Sequence, residues 1–409
     1  MGIIEKDKQY IANTYSRFPV VLTEGKGSLV YDENGKEYID LSSGIAVNTF
    51  GYCDDLWLAA VKKQAASLQH TSNLYYSAPC VELAEMLCKK TGMERVFFSN
   101  SGAEANECAI KTARKWAAAK KGTEYFNIIT LENSFHGRTI TTLSATGQAV
   151  FHNDFLPLTN GFLYSSPEDA TGLEKLLVEN KCAAIMIEIV QGEGGVVPLS
   201  AEYVNKIFSL AVKYDVLVIC DEVQTGNGRT GKLYSYINYG VTPDIVTTAK
   251  GLAGGLPLGA TLLGKKTANV LGIGSHGSTF GGNPVATAGA ISVLKRLDDT
   301  LFAEVIRKSE YIKSELEKCN GVESVTGLGL MLGVKTKKDA SAVISKCIEK
   351  GVLVIKAKDK LRLLPALNIP DELLKKAITI LCEVCSTAQT MKRMIWHNET
   401  QRKRLSHTS

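Results

Sequence analysis

From about residue 95 onward, apolar runs of strand length alternate with segments of helical periodicity, and this alternation leaves very few architectures open to the chain. The predicted strands are Arg95–Phe98, Phe126–Thr130, Ala183–Ile189, Val216–Asp221, Ile245–Thr248 and Ala260–Gly264. Between them the spacing predicts helices over Ala103–Ala119, Pro167–Val178 and Ala201–Tyr214. Strands of this kind, each followed by a helix, make a mostly parallel sheet covered on both faces. The fold class is therefore α/β. Ligands of such sheets sit beyond the C-terminal ends of the strands, so side chains there are the first candidates for chemistry.

Two ionisable residues fall at such ends. The apolar run Val216–Cys220 closes on Asp221, and Ile245–Thr248 leads to Lys250, which Gly251, Gly254 and Gly255 follow at once. Taken alone, an aspartate ending a strand is often a helix cap, and a lysine there is often solvated. Together they fit a specific chemistry. A desolvated lysine loses its proton readily and forms Schiff bases. Pyridoxal phosphate requires such a lysine and an acid facing its pyridinium nitrogen.

The remainder of the chain reads differently. Gly27–Asp40 alternates around Asn34-Gly35 as a β-hairpin, and Leu56–Gln69 and Cys80–Lys89 have helical spacing. Helices over Pro284–Lys295 and Phe302–Lys318 lead into short strands at Val322–Thr326, Leu330–Lys335, Val352–Ile355 and Arg362–Leu364, with helices at Ala340–Lys350 and Glu372–Gln389. The expected organisation is a hairpin-bearing segment 1–50 joined to a small α+β domain at 300–390, a large domain at 51–299, and a disordered basic tail at 391–409.

Charge argues against a nucleic-acid partner. Lys392, Arg393, Arg402, Lys403 and Arg404 against Glu399 account for four of the five net positive charges, so the body is nearly neutral. No apolar run is long enough to span a membrane, and the N-terminus lacks a secretory segment, so a cytoplasmic location is expected. The ten cysteines have no framework spacing, which fits reduced thiols. Cys382 and Cys385 lie three apart on one predicted helix face and have no second pair, so packing is expected rather than a metal site.

Further motifs cluster at strand ends. Ser99-Asn-Ser101-Gly102-Ala103-Glu104 opens a helix, with Ser101 as cap and Gly102 allowing close approach, as a phosphate site requires. Phe135, in Asn133–Thr139, can stack on a planar ring, and Arg138 can clamp a carboxylate. Alone, His136 reads as structural. Glu188–Gly195 places Glu193 among glycines, Gln224 follows Asp221 closely, and Ser278 and Thr279 offer hydroxyls before the next helix.

These motifs, with Asn13–Pro19, His70–Tyr76 and Arg362–Pro365, run in order over about Asn13 to Leu381. The chain resembles the class III (ornithine-type) pyridoxal-phosphate aminotransferases, and within them the acetylornithine-type members. The resemblance implies fold type I, with a mostly parallel seven-stranded sheet and a smaller α+β domain, and a homodimer with shared active sites. It implies transfer of the δ-amino group of N-acetylornithine to 2-oxoglutarate, with ornithine, succinylornithine and 4-aminobutyrate as alternative donors. Lys250 is then the Schiff-base lysine, Asp221 the ring-nitrogen partner, and Phe135 the stacking ring. Gln224 approaches the ring's phenolic oxygen, and Ser101, Gly102, Ala103, Glu222 and Val223 complete the cofactor site, with Thr279 reaching the phosphate from the other subunit. Arg138, Ser278 and Tyr15 contact the amine substrate. Arg362 takes the glutamate α-carboxylate, and Glu193 neutralises it otherwise. Ala103 stands where many members carry threonine.

Overall fold

The computed structural model describes residues 1–386; the basic tail lies outside the described residues, and the last helix is described to Cys385. A seven-stranded sheet forms the centre, in the order Arg95–Ser99, Gly259–Leu263, Ile245–Thr248, Leu217–Asp221, Cys182–Ile187, Asn127–Leu131 and Phe162–Ser165. Gly259–Leu263 runs antiparallel to both neighbours, and the other pairings are parallel. The fold is α/β with a mostly parallel sheet, as the strand–helix alternation predicts.

The inner strands are apolar throughout because both of their faces are covered. Ile185, Ile187, Val218 and Cys220 pack into one core, with Tyr203, Val204 and Ile207 of the helix Ala201–Lys213. Ala184, Met186, Leu217 and Ile219 pack into the other, under the helix Gly102–Lys121. That helix places Ala105, Ala109, Ala113 and Ala117 on a single stripe, each 0 % exposed. Small side chains at i, i+4 spacing let its axis lie close to the sheet, which sets its N-terminus beside the strand ends.

Two predicted features change. The seventh strand, Phe162–Ser165, escaped notice because it is a four-residue edge strand with only Ser165 buried, so it has no continuous apolar run. The run expected as one strand over Val352–Ile355 is two short strands in different sheets. Val352–Leu353 pairs with Glu37–Asp40, whereas Ile355–Ala357 pairs with Lys360–Leu363.

The hairpin Leu29–Asp32 and Glu37–Asp40 turns at Gly35, where φ is +78°, and Asp32 Oδ1 accepts the N–H groups of Asn34 and Lys36. An extra strand, Leu22–Lys26, extends it, and the pairing with Val352–Leu353 ties the N-terminal segment to the C-terminal part of the chain. The second four-stranded sheet orders Val322–Leu328, Met331–Thr336, Lys360–Leu363 and Ile355–Ala357. It carries Arg362 towards the C-terminal edge of the large sheet. Among the described residues no helix is long and apolar enough to cross a membrane.

Candidate active site

A cavity of about 430 Å³ opens at the C-terminal ends of the strands, and Gly102, Phe135, Glu188, Asp221, Val223 and Lys250 all line it. Five separate strand ends deliver these residues, which are scattered in sequence and converge only in the fold.

Asp221 is 4 % exposed and held from three sides. Its Oδ2 accepts from Asn106 Nδ2 at 2.8 Å and faces His136 Nδ1 at 2.8 Å, and its Oδ1 accepts the Val223 N–H at 3.0 Å. Asn106 Nδ2 also donates to the His136 carbonyl at 2.7 Å, so helix, loop and strand lock together around one carboxylate. This network assigns Nδ1 as the protonated nitrogen of His136. Structural, the reading of His136 from sequence, fits this position, whereas Asn106 was not foreseen at all. It sits on the helix interior, and no local pattern marks it.

Lys250 lies just past the strand Ile245–Thr248 with φ of +43°, an uncommon backbone for a lysine. Burial lowers its proton affinity; Glu193, Asp221 and Glu188 act to raise it and Arg362 to lower it. Opposite stands the N-terminus of the helix Gly102–Lys121, where Ser101 Oγ accepts the Glu104 N–H at 3.2 Å. The first-turn N–H groups have no acceptor within the helix, so they offer an anion site. Gly102 is required there: a Cβ would lie 2.6 Å from Val223 Cγ1.

Phe135 packs edge-on against Phe151 with ring centroids 5.9 Å apart. The Arg138 guanidinium lies 4.2 Å from the centroid of Phe151, exposed and free to meet an anion entering the mouth. Deeper in, Arg362 is 3 % exposed, and its Nη1 donates to Glu193 Oε1 at 2.5 Å and to Gln224 Oε1 at 3.1 Å. Its Nε has no partner among the described residues. Gln224 thus lines the cavity while its carbonyl is committed to the arginine.

Four candidates lie elsewhere. Glu222 is 0 % exposed and turned away, its Oε1 accepting from Ser235 Oγ at 2.6 Å and from the Tyr236 N–H at 3.0 Å; it anchors the loop behind the site. Ser278 and Thr279 line a separate cleft of about 410 Å³ with His70 and Leu74. Tyr15 is 69 % exposed and lines no wall of the main cavity.

The sequence profile described as aminotransferase class-III matches residues 10–385. An acetylornithine aminotransferase of Haemophilus ducreyi is 48 % identical, over 94 % of this chain and 98 % of its own. Among solved structures, the N-acetylornithine aminotransferase of Stenotrophomonas maltophilia superposes with a TM-score of 0.82 at 37 % identity, covering 93 % of this chain and 98 % of that one. The ornithine aminotransferase of Toxoplasma gondii, whose active site holds pyridoxal phosphate at partial occupancy, gives a TM-score of 0.90 at 33 % identity over 95 % of each chain. The chain belongs to the class-III aminotransferases.

Proposed function

We propose that this chain transfers the δ-amino group of N-acetylornithine to 2-oxoglutarate, giving N-acetylglutamate 5-semialdehyde and glutamate, a step of arginine biosynthesis, with pyridoxal phosphate as cofactor. The observation that carries it is the pair of arginines at different depths, one of them compensated. Arg362 is buried against Glu193, and Arg138 stands exposed at the mouth. Glutamate brings two carboxylates and N-acetylornithine one. A removable carboxylate on one arginine lets a single site accept both.

The cavity suits pyridoxal phosphate. An anion cradle that only glycine permits at position 102 lies in its wall, Phe135 and Val223 supply apolar lining, and an anchored carboxylate and a lysine complete the donor set. Once bound, the cofactor supplies an electron sink that stabilises negative charge at the carbon beside the transferred nitrogen. The chain supplies the rest. Ser101 fixes the helix end so that the Gly102 and Ala103 N–H groups can take the phosphate. Asp221 Oδ1 and Oδ2 are oriented by Val223, Asn106 and His136 for a ring nitrogen. Lys250 Nζ, its proton affinity lowered by burial, can take up and return a proton more readily than a solvated lysine. Gln224, which lines the cavity and accepts from the Arg362 guanidinium, is the side-chain amide available to the ring edge of a bound cofactor.

Substrate choice follows from Arg138. Ornithine would bring an α-ammonium beside a guanidinium, and like charges at such range repel; an acylated nitrogen carries no charge. Ornithine stays as the second reading because the overall geometry is close to that of the Toxoplasma gondii enzyme. Ser278 and Thr279 enter this reading through a second copy of the chain. Leu74 lines their cleft, and Leu74, its chain neighbours Tyr75 and Tyr76, and Phe280 next to Thr279 are all exposed, side chains that a twofold partner would cover. Tyr15 is left without a role.

The direct test loads the purified chain with pyridoxal phosphate, reduces it with borohydride and maps the modified peptide. A pyridoxyl adduct on Lys250 is expected. Reduction that leaves Lys250 unmodified, or a protein that takes up no cofactor, would end this reading.

A further inference from the structure

Glu188 directly follows the strand Cys182–Ile187, is 6 % exposed and stands in the cavity wall. Its Oε1 accepts the Phe135 N–H at 2.8 Å, and its Oε2 accepts the Gly192 N–H at 3.1 Å. One carboxylate thereby holds two different loops, the one that carries Phe135 and the glycine turn that carries Glu193. The loops are pressed together around it. Gln191 Nε2 donates to the Glu132 carbonyl at 2.8 Å, and a Cβ on Gly194 would lie 2.8 Å from the Asn133 carbonyl oxygen.

This arrangement is specific to a carboxylate. A glutamine has a single acceptor oxygen, and its NH₂ would meet one of the two amides donor to donor. A buried carboxylate whose hydrogen-bond partners among the described residues are all backbone amides is also expensive to retain for structure alone. Burial pushes the Glu188 carboxyl up to about 7, with His136 opposing and Asp221 adding to the shift.

We propose that Glu188 is a positioning residue that sets Glu193 against Arg362 and Phe135 against the cofactor face from one anchor. The two arms have different duties, given the transamination proposed above. The Phe135 arm serves both halves of the cycle. The Gly192 arm serves only the state in which Glu193 closes on Arg362, the state in which the single-carboxylate amine is bound. With glutamate in place, Glu193 has left the arginine and its turn no longer needs the anchor.

The experiment compares wild type with Glu188→Gln as holoenzymes in single-turnover half-reactions, and measures glutarate binding calorimetrically. Glutarate is an unreactive dicarboxylate that competes with Glu193 for Arg362. The N-acetylornithine half-reaction should fall roughly tenfold further than the glutamate half-reaction, the order expected for one charge-assisted hydrogen bond. Glutarate should bind as tightly or severalfold more tightly, because a loosened Glu193 competes less. In the Glu193→Ala background, Glu188→Gln should leave the ratio of half-reactions unchanged. Equal losses in both half-reactions, or weaker glutarate binding, would overturn the assignment. If Glu188→Gln does not fold, Glu188→Asp, one methylene too short to reach both amides, is put through the same measurements. A wild type that reacts with glutamate but not with N-acetylornithine would overturn the proposed substrate instead, and the glutarate measurement would still decide the role of Glu188.

Discussion

Replacing Glu193 with alanine isolates the Arg362–Glu193 pair on which the proposed dual substrate use depends. In the wild type Arg362 is 3 % exposed and its Nη1 lies 2.5 Å from Glu193 Oε1. Removing one partner of a fully buried ion pair costs about 3–5 kcal/mol. The Glu193 side chain is 30 % exposed and Gln224 still accepts from the same Nη1, so about half of that, ~2 kcal/mol, is the expected penalty for the free protein. Glutamate binding removes that penalty because its α-carboxylate takes the vacated place. N-acetylornithine cannot remove it, and its own ammonium arrives near an uncompensated guanidinium. The ratio of glutamate to N-acetylornithine half-reaction rates should therefore rise by roughly thirtyfold. Stopped-flow measurement of each half-reaction reads this ratio. A second readout is independent of rate. Burial lowers Lys250, Glu193 raises it and Arg362 lowers it, so the variant should show a Lys250 titration displaced to still lower pH. If both half-reactions fall equally and the titration does not move, Glu193 merely shapes the glycine turn and the switch is refuted.

Three further outcomes follow from the same geometry. Gly102→Ala drives a Cβ to within 2.6 Å of Val223 Cγ1, and such overpacking at ~1–3 kcal/mol should raise the pyridoxal-phosphate dissociation constant about tenfold or more in a titration of the apoprotein; unchanged binding would show that this helix end is not the anchor. Asn106→Leu strips one of the donors from the buried Asp221 carboxylate, at ~1.5–3 kcal/mol, and should weaken cofactor binding while leaving Lys250 trappable with borohydride; a variant with wild-type affinity would show that Asn106 does not support Asp221. For pH, Glu188 is an acid whose proton affinity is raised in the folded state to about 7, so the folded chain binds the extra proton and stability is lost as pH rises from the ordinary glutamate range towards 7. The melting temperature of Glu188→Gln relative to wild type should then improve from pH 5 to pH 8, and a difference independent of pH would contradict the burial argument.

Much of this site was legible because its signals are local. Lys250 and Asp221 each close an apolar run, and Ser101–Glu104 carries its cap within four residues. What escaped is long-range. Asn106 meets Asp221 from 115 positions away, and Glu188 meets Phe135 from 53 away; no spacing rule encodes either contact. Glu222 was misplaced for a related reason. It adjoins Asp221 in sequence, but successive side chains on extended backbone point to opposite sides, so it faces Ser235 rather than the cavity. The edge strand Phe162–Ser165 and the N-terminal helix Ile3–Tyr10 escaped because neither buries an apolar face, the helix having no buried residue at all.

The central claim is the identity of the amine donor, and a panel of kcat/KM values tests it most directly. N-acetylornithine, ornithine, N-succinylornithine and 4-aminobutyrate are each offered with 2-oxoglutarate to the loaded enzyme under one set of conditions. N-acetylornithine should lead ornithine by about tenfold or more, since the ornithine α-ammonium beside Arg138 need cost only about 1.4 kcal/mol in transition-state binding. A tenfold preference for 4-aminobutyrate or ornithine would contradict it.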